Sequence, residues 1–171
     1  SDHDGFGVSE CLLGDGARVL TRTMQQIQAE VGHGGTAVRN RLRSVAHRLI
    51  EIGRASRGRG EAALARQREG YQKLMAVTRR ILGQAKRVVH EVRQGIKRAA
   101  TLPGQLLVEA LAQQLEDVSA LTRRVLAQTA ARVFEGNTHF PNKVLSLFET
   151  ATEAIRKGKA AKPTEFGKLV K

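Results

Sequence analysis

The sequence has few aromatic residues, with no tryptophan, one tyrosine and five phenylalanines among 171 residues. A core without large rings depends on Leu, Val, Ile and Ala, which is typical of helices packed on helices. The single cysteine, Cys11, excludes an intramolecular disulfide and favours a reducing compartment. No apolar run approaches the roughly 20 residues of a membrane span. The composition therefore predicts a mainly helical domain that does not cross a membrane.

Positive charge is abundant and unevenly placed. The net charge is +13, and residues 36–100 contain 17 Lys and Arg against four Asp and Glu. This block accounts for the whole excess, because the rest of the chain is balanced. A positive field of this size favours a polyanionic partner such as nucleic acid. The alternative is a solvated basic face whose acidic partner is missing.

The first two helices are predicted from apolar residues that recur at helical spacing. Asp15 is a candidate N-cap for a helix that runs to Val31 and ends in the glycine-rich residues 32–35. Thr36 is a candidate N-cap for the second helix, whose apolar residues from 38 to 52 follow coiled-coil spacing. Residues 53–60 (GRASRGRG) are predicted to be a linker, or alternatively a mobile clamp for phosphate.

Two longer helices follow. The third is predicted over residues 61–100, where Gly70 or Gly83 could allow a bend. Residues 101–104 (TLPG) break it, and the fourth helix is predicted over residues 105–134 with apolar residues at heptad positions. We therefore predict long antiparallel helices, arranged as hairpins or a bundle.

The composition changes after Pro141. Residues 143–148 form a short apolar run with the composition of a strand, and residues 166–170 resemble a second strand. The chain stops within that pattern, so we expect it to be truncated. The predicted fold class is mainly α with a short C-terminal β segment. The predicted regions are an irregular segment 1–12, a basic helical region 13–137 and a β-rich region 138–171.

The residues alone predict a binding module rather than an enzyme. No phosphate-binding Gly-x-x-x-x-Gly-Lys-Ser/Thr pattern is present, because Gly158-Lys159 is followed by Ala160. No Ser/His/Asp arrangement and no His/Cys pair at metal-ligand spacing stands out. We expect no cofactor and no small-molecule substrate for this chain.

The expected partner is duplex DNA. Stacking on single-stranded bases needs aromatic platforms, which the basic block lacks, whereas Arg and Lys on helices suit duplex phosphates. The candidate phosphate contacts lie in the basic block and largely off the apolar seams. They are Arg39, Arg43, Arg79, Arg80, Lys86 and Arg87.

A structural role is the alternative to DNA binding. The heptad seams could meet those of another copy, which would make the chain a homo-oligomerisation module without direct DNA contact. A membrane-surface helix is disfavoured because the basic faces lack Trp and Phe anchors.

The sequence also resembles a known family. Residues 143–149 (KVLSLFE), 155–160 (IRKGKA) and 162–167 (KPTEFG) are similar to bacterial insertion-sequence DDE transposases of the ISNCY type. The likeness extends back through residues 12–22 (LLGDGARVLTR) and motifs in residues 70–87. It covers nearly all of the chain from residue 12 onward, and the C-terminal motif is its most specific part.

The resemblance implies a function in DNA transposition. Family members cut and join DNA with three carboxylates on an RNase H-like core, which hold two divalent metal ions. Residues 138–171 would begin the second part of that core. The first carboxylate would precede this chain and the other two would follow it, so no catalytic residue is assigned here. Magnesium is expected only for a complete transposase, and a nucleoid-associated cytoplasmic location follows from the same resemblance.

One departure from the family pattern lies near the N-terminus. Family members carry His-Tyr-Pro-Thr-Asp-Ser before the Leu-Leu pair, whereas this chain has residues 6–10 (FGVSE) there. The departure suggests a decayed or frame-disrupted copy. The resulting hypothesis is a transposase fragment that binds DNA and is catalytically silent by itself.

Overall fold

Four α-helices form the part of the chain that the computed structural model describes, which is residues 2–135, with side chains from residue 9 onward. They are α1 (Asp2–Val31), α2 (Leu42–Ser56), α3 (Gly60–Arg93) and α4 (Leu102–Glu135). The described part contains no strand, which confirms the mainly helical fold class. The β segment predicted within residues 138–171 lies outside the described residues.

The helices share one hydrophobic core. Helix α1 packs along α4, α3 packs on both α4 and α1, and α2 packs mainly on α3. Neighbours along the chain run antiparallel. Arg93 at the end of α3 contacts Glu109 and Glu116 of α4, while residues 79–86 of α3 line one groove with residues 123–130 of α4. The predicted antiparallel arrangement of long helices is therefore observed.

The heptad residues of α4 form the densest part of the core. All seven predicted positions are buried, namely Val108, Leu111, Leu115, Val118, Thr122, Val125 and Thr129. The two threonines are tolerated there because each hydroxyl donates to the carbonyl four residues earlier, at 2.7 Å. The heptad residues of α4, which could have packed against another copy of the chain, therefore pack against the chain's own helices.

The apolar stripe of α3 is mostly buried as well. Tyr71, Leu74 and Ile81 are fully covered, but Leu64 has 54% of its surface exposed because it lies in the turns of α3 nearest its start. Helix α3 runs from residue 60 to 93 without interruption, so neither Gly70 nor Gly83 ends it. Gly70 instead allows close contact with α2.

The N-terminal boundary differs from the prediction. Residues 2–12, expected to be irregular, belong to α1, and Asp15 lies inside that helix rather than at its start. Packing of Leu12 and Leu13, both buried, against the other helices outweighs the low helix propensity of the nearby glycines. The Asp15 carboxylate accepts a hydrogen bond from Arg18 instead of capping the helix.

The boundaries of α2 also differ. Thr36 is not its cap, because α2 begins at Leu42, whose N–H donates to Asn40 Oδ1 at 2.9 Å. The predicted linker 53–60 is mostly helical, and only residues 57–59 separate α2 from α3. Ile52 and Ala55 are buried, so packing extends α2 through Gly53.

Helix α3 ends earlier than the predicted residue 100. Gly95 has φ of 78°, a left-handed conformation that glycine adopts without a Cβ penalty. The N–H of Gly95 donates to Val92 O at 3.1 Å, and that of Ile96 donates to Glu91 O at 2.9 Å. This pair of bonds closes the C-terminus at Arg93 and starts the connection to α4.

Two glycines of α3 give a matched stability prediction. A Cβ at Gly70 would lie 2.8 Å from Ile52 Cγ1, whereas a Cβ at Gly83 would meet no atom within 4 Å. We expect Gly70→Ala to lower the free energy of unfolding by about 1–2 kcal/mol, because α2 must move. Gly83→Ala should raise it by about 0.5–1 kcal/mol through helix propensity alone.

Urea denaturation of the two variants and the parent chain measures both effects. Each variant is the control for the other, because both place alanine inside the same helix. Equal stabilisation by the two substitutions would show that α2 does not approach α3 closely at Gly70.

Candidate nucleic-acid interface

A buried lysine anchors the segment between α1 and α2, residues 32–41. Lys97 follows α3 and has only 1% of its surface exposed. Its Nζ donates to Gln28 Oε1 at 2.6 Å and to the carbonyls of Gly34 and Thr36 at 2.9 and 2.8 Å. Desolvation lowers the pKa of Lys97, and the charge of Glu91 opposes that shift. The ammonium group thus ties α1, the segment and the end of α3 together.

Two side chains of α3 hold the same segment over one helix face. The Glu91 carboxylate accepts from the N–H of Thr36 at 2.9 and 3.0 Å and from its hydroxyl at 3.1 Å. Gln84 Nε2 donates to the carbonyl of Ala37 at 3.0 Å. Thr36 therefore fixes the segment to α3 instead of capping α2.

Four arginines gather where this segment crosses α3. Positions 80, 84, 87 and 91 share one helix face, so the segment held by 84 and 91 lies beside Arg80 and Arg87. Arg39 and Arg41 belong to the segment itself. Desolvation lowers the pKa of Arg41, and the charges of Arg39, Arg80 and Arg87 lower it further. We call these four residues the arginine cluster.

A second group of cations lines a groove between α3 and α4. The groove has a volume of about 500 Å³ and an apolar floor that includes Leu82 and Leu126. Arg79, Lys86 and Arg123 lie around it. Positions 79 and 86 are seven residues apart and therefore share a helix face, about 100° around α3 from that of Arg80 and Arg87. We call this the α3–α4 groove.

The six predicted contact residues all lie on the surface, and the structure brings most of them together. Arg39, Arg80 and Arg87 belong to the arginine cluster, while Arg79 and Lys86 line the α3–α4 groove. Arg43 is exposed in the first turn of α2.

None of the six forms an ion pair or side-chain hydrogen bond within the described residues. Arg18, Arg48, Lys73 and Arg93, by contrast, each pair with a carboxylate. Arg48 contacts Glu51 at 2.7 Å, and Lys73 contacts Glu69 at 2.9 Å. Glu91, on the same face of α3 as Arg80 and Arg87, accepts hydrogen bonds from Thr36. A concentrated positive potential therefore remains on this side of α3.

Sequence reasoning missed three residues of this region. Arg41 and Arg123 were not selected because their positions depend on how the segment 36–41 and α4 pack on α3. Lys97 falls within the helix predicted over residues 61–100 and was not selected either. A lysine that closely follows the glycine at the end of a helix only weakly indicates a buried residue, since the burial of Lys97 depends on contacts with α1.

The described residues offer no sign of metal chemistry or of a membrane span. Residues 9–135 contain no group of three or more His, Cys, Asp or Glu side chains that could hold a metal ion. None of the helices α1–α4 is long and apolar enough to cross a membrane. What the arrangement offers chemically is a set of guanidinium and ammonium donors for anions.

The fold and this surface define a basic helical module. No family model, curated protein or solved structure matches the chain.

Proposed function

We propose that the chain binds duplex DNA through the phosphate backbone, using the arginine cluster and the α3–α4 groove. The observation that carries this proposal is the absence, among the described residues, of any carboxylate paired with the six selected cations. Unpaired cations are free to replace the counterions condensed on DNA, which is the main source of sequence-independent affinity. Five of the six lie on helices, and this limits the entropy lost on binding.

We also propose that this module is the helical region of a DNA transposase. The support is the sequence resemblance, above all that of residues 143–149 and 155–167 to the ISNCY type. Under this proposal the module holds DNA, and the carboxylates that cut it belong to parts of the parent protein beyond this chain. Purified chain that cleaved or joined DNA with added Mg²⁺ would contradict the idea of a silent fragment.

The alternative, oligomerisation through the heptad seams, has less support. The predicted seam residues Val45 and Ile52 of α2 are buried within the chain, as are all those of α4. The large apolar residues that remain exposed are dispersed over several elements, and they include Ile50, Leu106 and Phe134. Self-association would therefore need a different surface.

Fluorescence anisotropy of a labelled 20-base-pair duplex tests the proposal. We expect tight binding at 50 mM salt and an affinity that falls by roughly 10³-fold or more by 200 mM, as for six or more phosphate contacts. A labelled single strand of the same length should bind more weakly, because neither the arginine cluster nor the α3–α4 groove includes an aromatic side chain on which a base could stack.

No binding to the duplex at 50 mM salt would reject the proposal. Sedimentation velocity with and without DNA then addresses the alternative. A concentration-dependent dimer that ignores DNA would favour the structural role.

A further inference from the structure

Arg41 differs from the other three residues of the arginine cluster because one of its nitrogens is covered and also has no partner. Arg41 as a residue is partly exposed, but its Nη1 atom is covered and donates to no protein oxygen among the described residues. A covered N–H group without an acceptor loses its hydrogen bonds to water and gains none in return. An anion that supplied the acceptor would remove that loss.

The charges around Arg41 have the same sign. Arg39, Arg80 and Arg87 lie close enough for their charges to disfavour the protonated guanidinium of Arg41. The four arginines repel one another, and the hydrogen bonds that attach the segment to α3 and to Lys97 keep them close despite this repulsion. Gln84, Glu91 and Lys97 supply those bonds. The fold therefore maintains an electrostatically unfavourable arrangement, and a bound anion would relieve it.

We propose that Arg41, with Arg39, Arg80 and Arg87, forms a site for one phosphate group. The proposal rests on the proposed DNA function in one respect, because it identifies the group as a backbone phosphate of the duplex. A guanidinium presents two parallel N–H donors to phosphate oxygens, and several guanidiniums around one anion leave little of its charge uncompensated. Arg41 differs from exposed contacts such as Arg43, since it is partly desolvated.

Inorganic phosphate is the probe that tests the site without DNA. The melting temperature of the chain is measured in sodium phosphate and in sodium chloride at equal ionic strength. At a phosphate concentration near ten times the dissociation constant, we expect a rise of about 3 °C over chloride. No phosphate-specific rise in the parent chain would overturn the proposal.

Substitution of Arg41 tests which residue is responsible. Arg41→Gln should abolish the phosphate-specific rise, and Arg41→Lys should remove most of it because a point charge replaces the fork. The glutamine variant should be at least as stable as the parent in chloride, since it removes the crowded charge. Arg68→Gln is the control, because Arg68 is an exposed arginine of α3 that lies outside both the arginine cluster and the α3–α4 groove. A phosphate effect that survives in Arg41→Gln would overturn the assignment.

Measurements of DNA binding show whether the phosphate that this site binds belongs to the backbone of a duplex or is free inorganic phosphate. We expect Arg41→Gln to weaken duplex binding by about 10-fold relative to Arg68→Gln at about 0.1 M salt. Duplex binding by a chain with no phosphate-specific rise would reject the site and leave the proposed function intact. A phosphate effect through Arg41 in a chain that does not bind duplex would support the site and reject the backbone as its ligand.

Discussion

A variant with glutamine at four cationic positions of α3 is expected to bind duplex DNA roughly 10²–10³-fold more weakly at about 0.1 M salt. The four positions are Arg79, Arg80, Lys86 and Arg87. They lie on two adjacent faces of one rigid helix, and none of them pairs with a carboxylate among the described residues. Removing them should therefore cost little folding stability.

The salt dependence of the same variant is the more specific measurement. Each phosphate contact contributes about 0.9 to the slope of log K against log salt, so four lost contacts should reduce the slope by about 3–4. Anisotropy titrations of one labelled duplex at four salt concentrations give both affinity and slope. A loss of affinity with an unchanged slope would point to misfolding, which circular dichroism checks.

A second quadruple variant controls for net charge. Glutamine at Arg18, Arg48, Lys73 and Arg93 removes the same four charges, but each of these residues is paired with a carboxylate. We expect this variant to lose much less affinity, because only long-range attraction is reduced. Equal losses in the two variants would show that total charge, rather than the α3 surface, determines binding.

Replacing Lys97 by methionine is expected to lower the free energy of unfolding by about 3 kcal/mol. Methionine fills much of the volume but leaves Gln28 Oε1 and the carbonyls of Gly34 and Thr36 without their common donor. Those acceptors would stay covered or draw water into the core. Urea denaturation followed by circular dichroism measures the change.

Lys73→Met is the matched control. Lys73 is exposed on α3, and its pair with Glu69 is a surface contact worth about 0.5 kcal/mol or less. A change as small for Lys97→Met as for Lys73→Met would contradict the anchoring role of Lys97.

The pH dependence of the Lys97 contribution has a defined sign. Because desolvation lowers the pKa of Lys97 in the folded chain, the unfolded chain binds more protons between that pKa and the unfolded value of about 10.4. Stability of the parent relative to Lys97→Met should therefore increase as the pH rises through this alkaline range. A decrease over the same range would mean that Lys97 gains, rather than loses, proton affinity on folding.

Much of the fold follows from residue spacing. The heptad positions of α4 fixed its buried face, and the end of α1 was predicted from the glycines after Val31, where Gly32 has φ of 68°. Prediction failed where long-range packing overrides local preference. Residues 2–12 are helical although two glycines lie among them, and α2 continues through Gly53 because Ile52 packs on α3.

Most of the candidate interface also followed from the sequence, but its organisation did not. Spacing placed Arg80 with Arg87 and Arg79 with Lys86, since residues seven apart share a helix face. Spacing along the sequence does not indicate which loop packs across the face of α3 that carries Arg80 and Arg87. Arg41 joins the arginine cluster only because Glu91 and Gln84 hold residues 36–37, and Arg123 reaches the α3–α4 groove only through helix packing.

The sequence by itself determined that this protein is helical and that its charge is concentrated in residues 36–100. These properties depend on composition and on local periodicity, which are independent of the fold. Only the tertiary structure decided that the heptad seams face inward, that Lys97 is an anchor and not a surface charge, and that four arginines meet. Each of these depends on contacts between residues distant in the chain, which burial and hydrogen bonding select together.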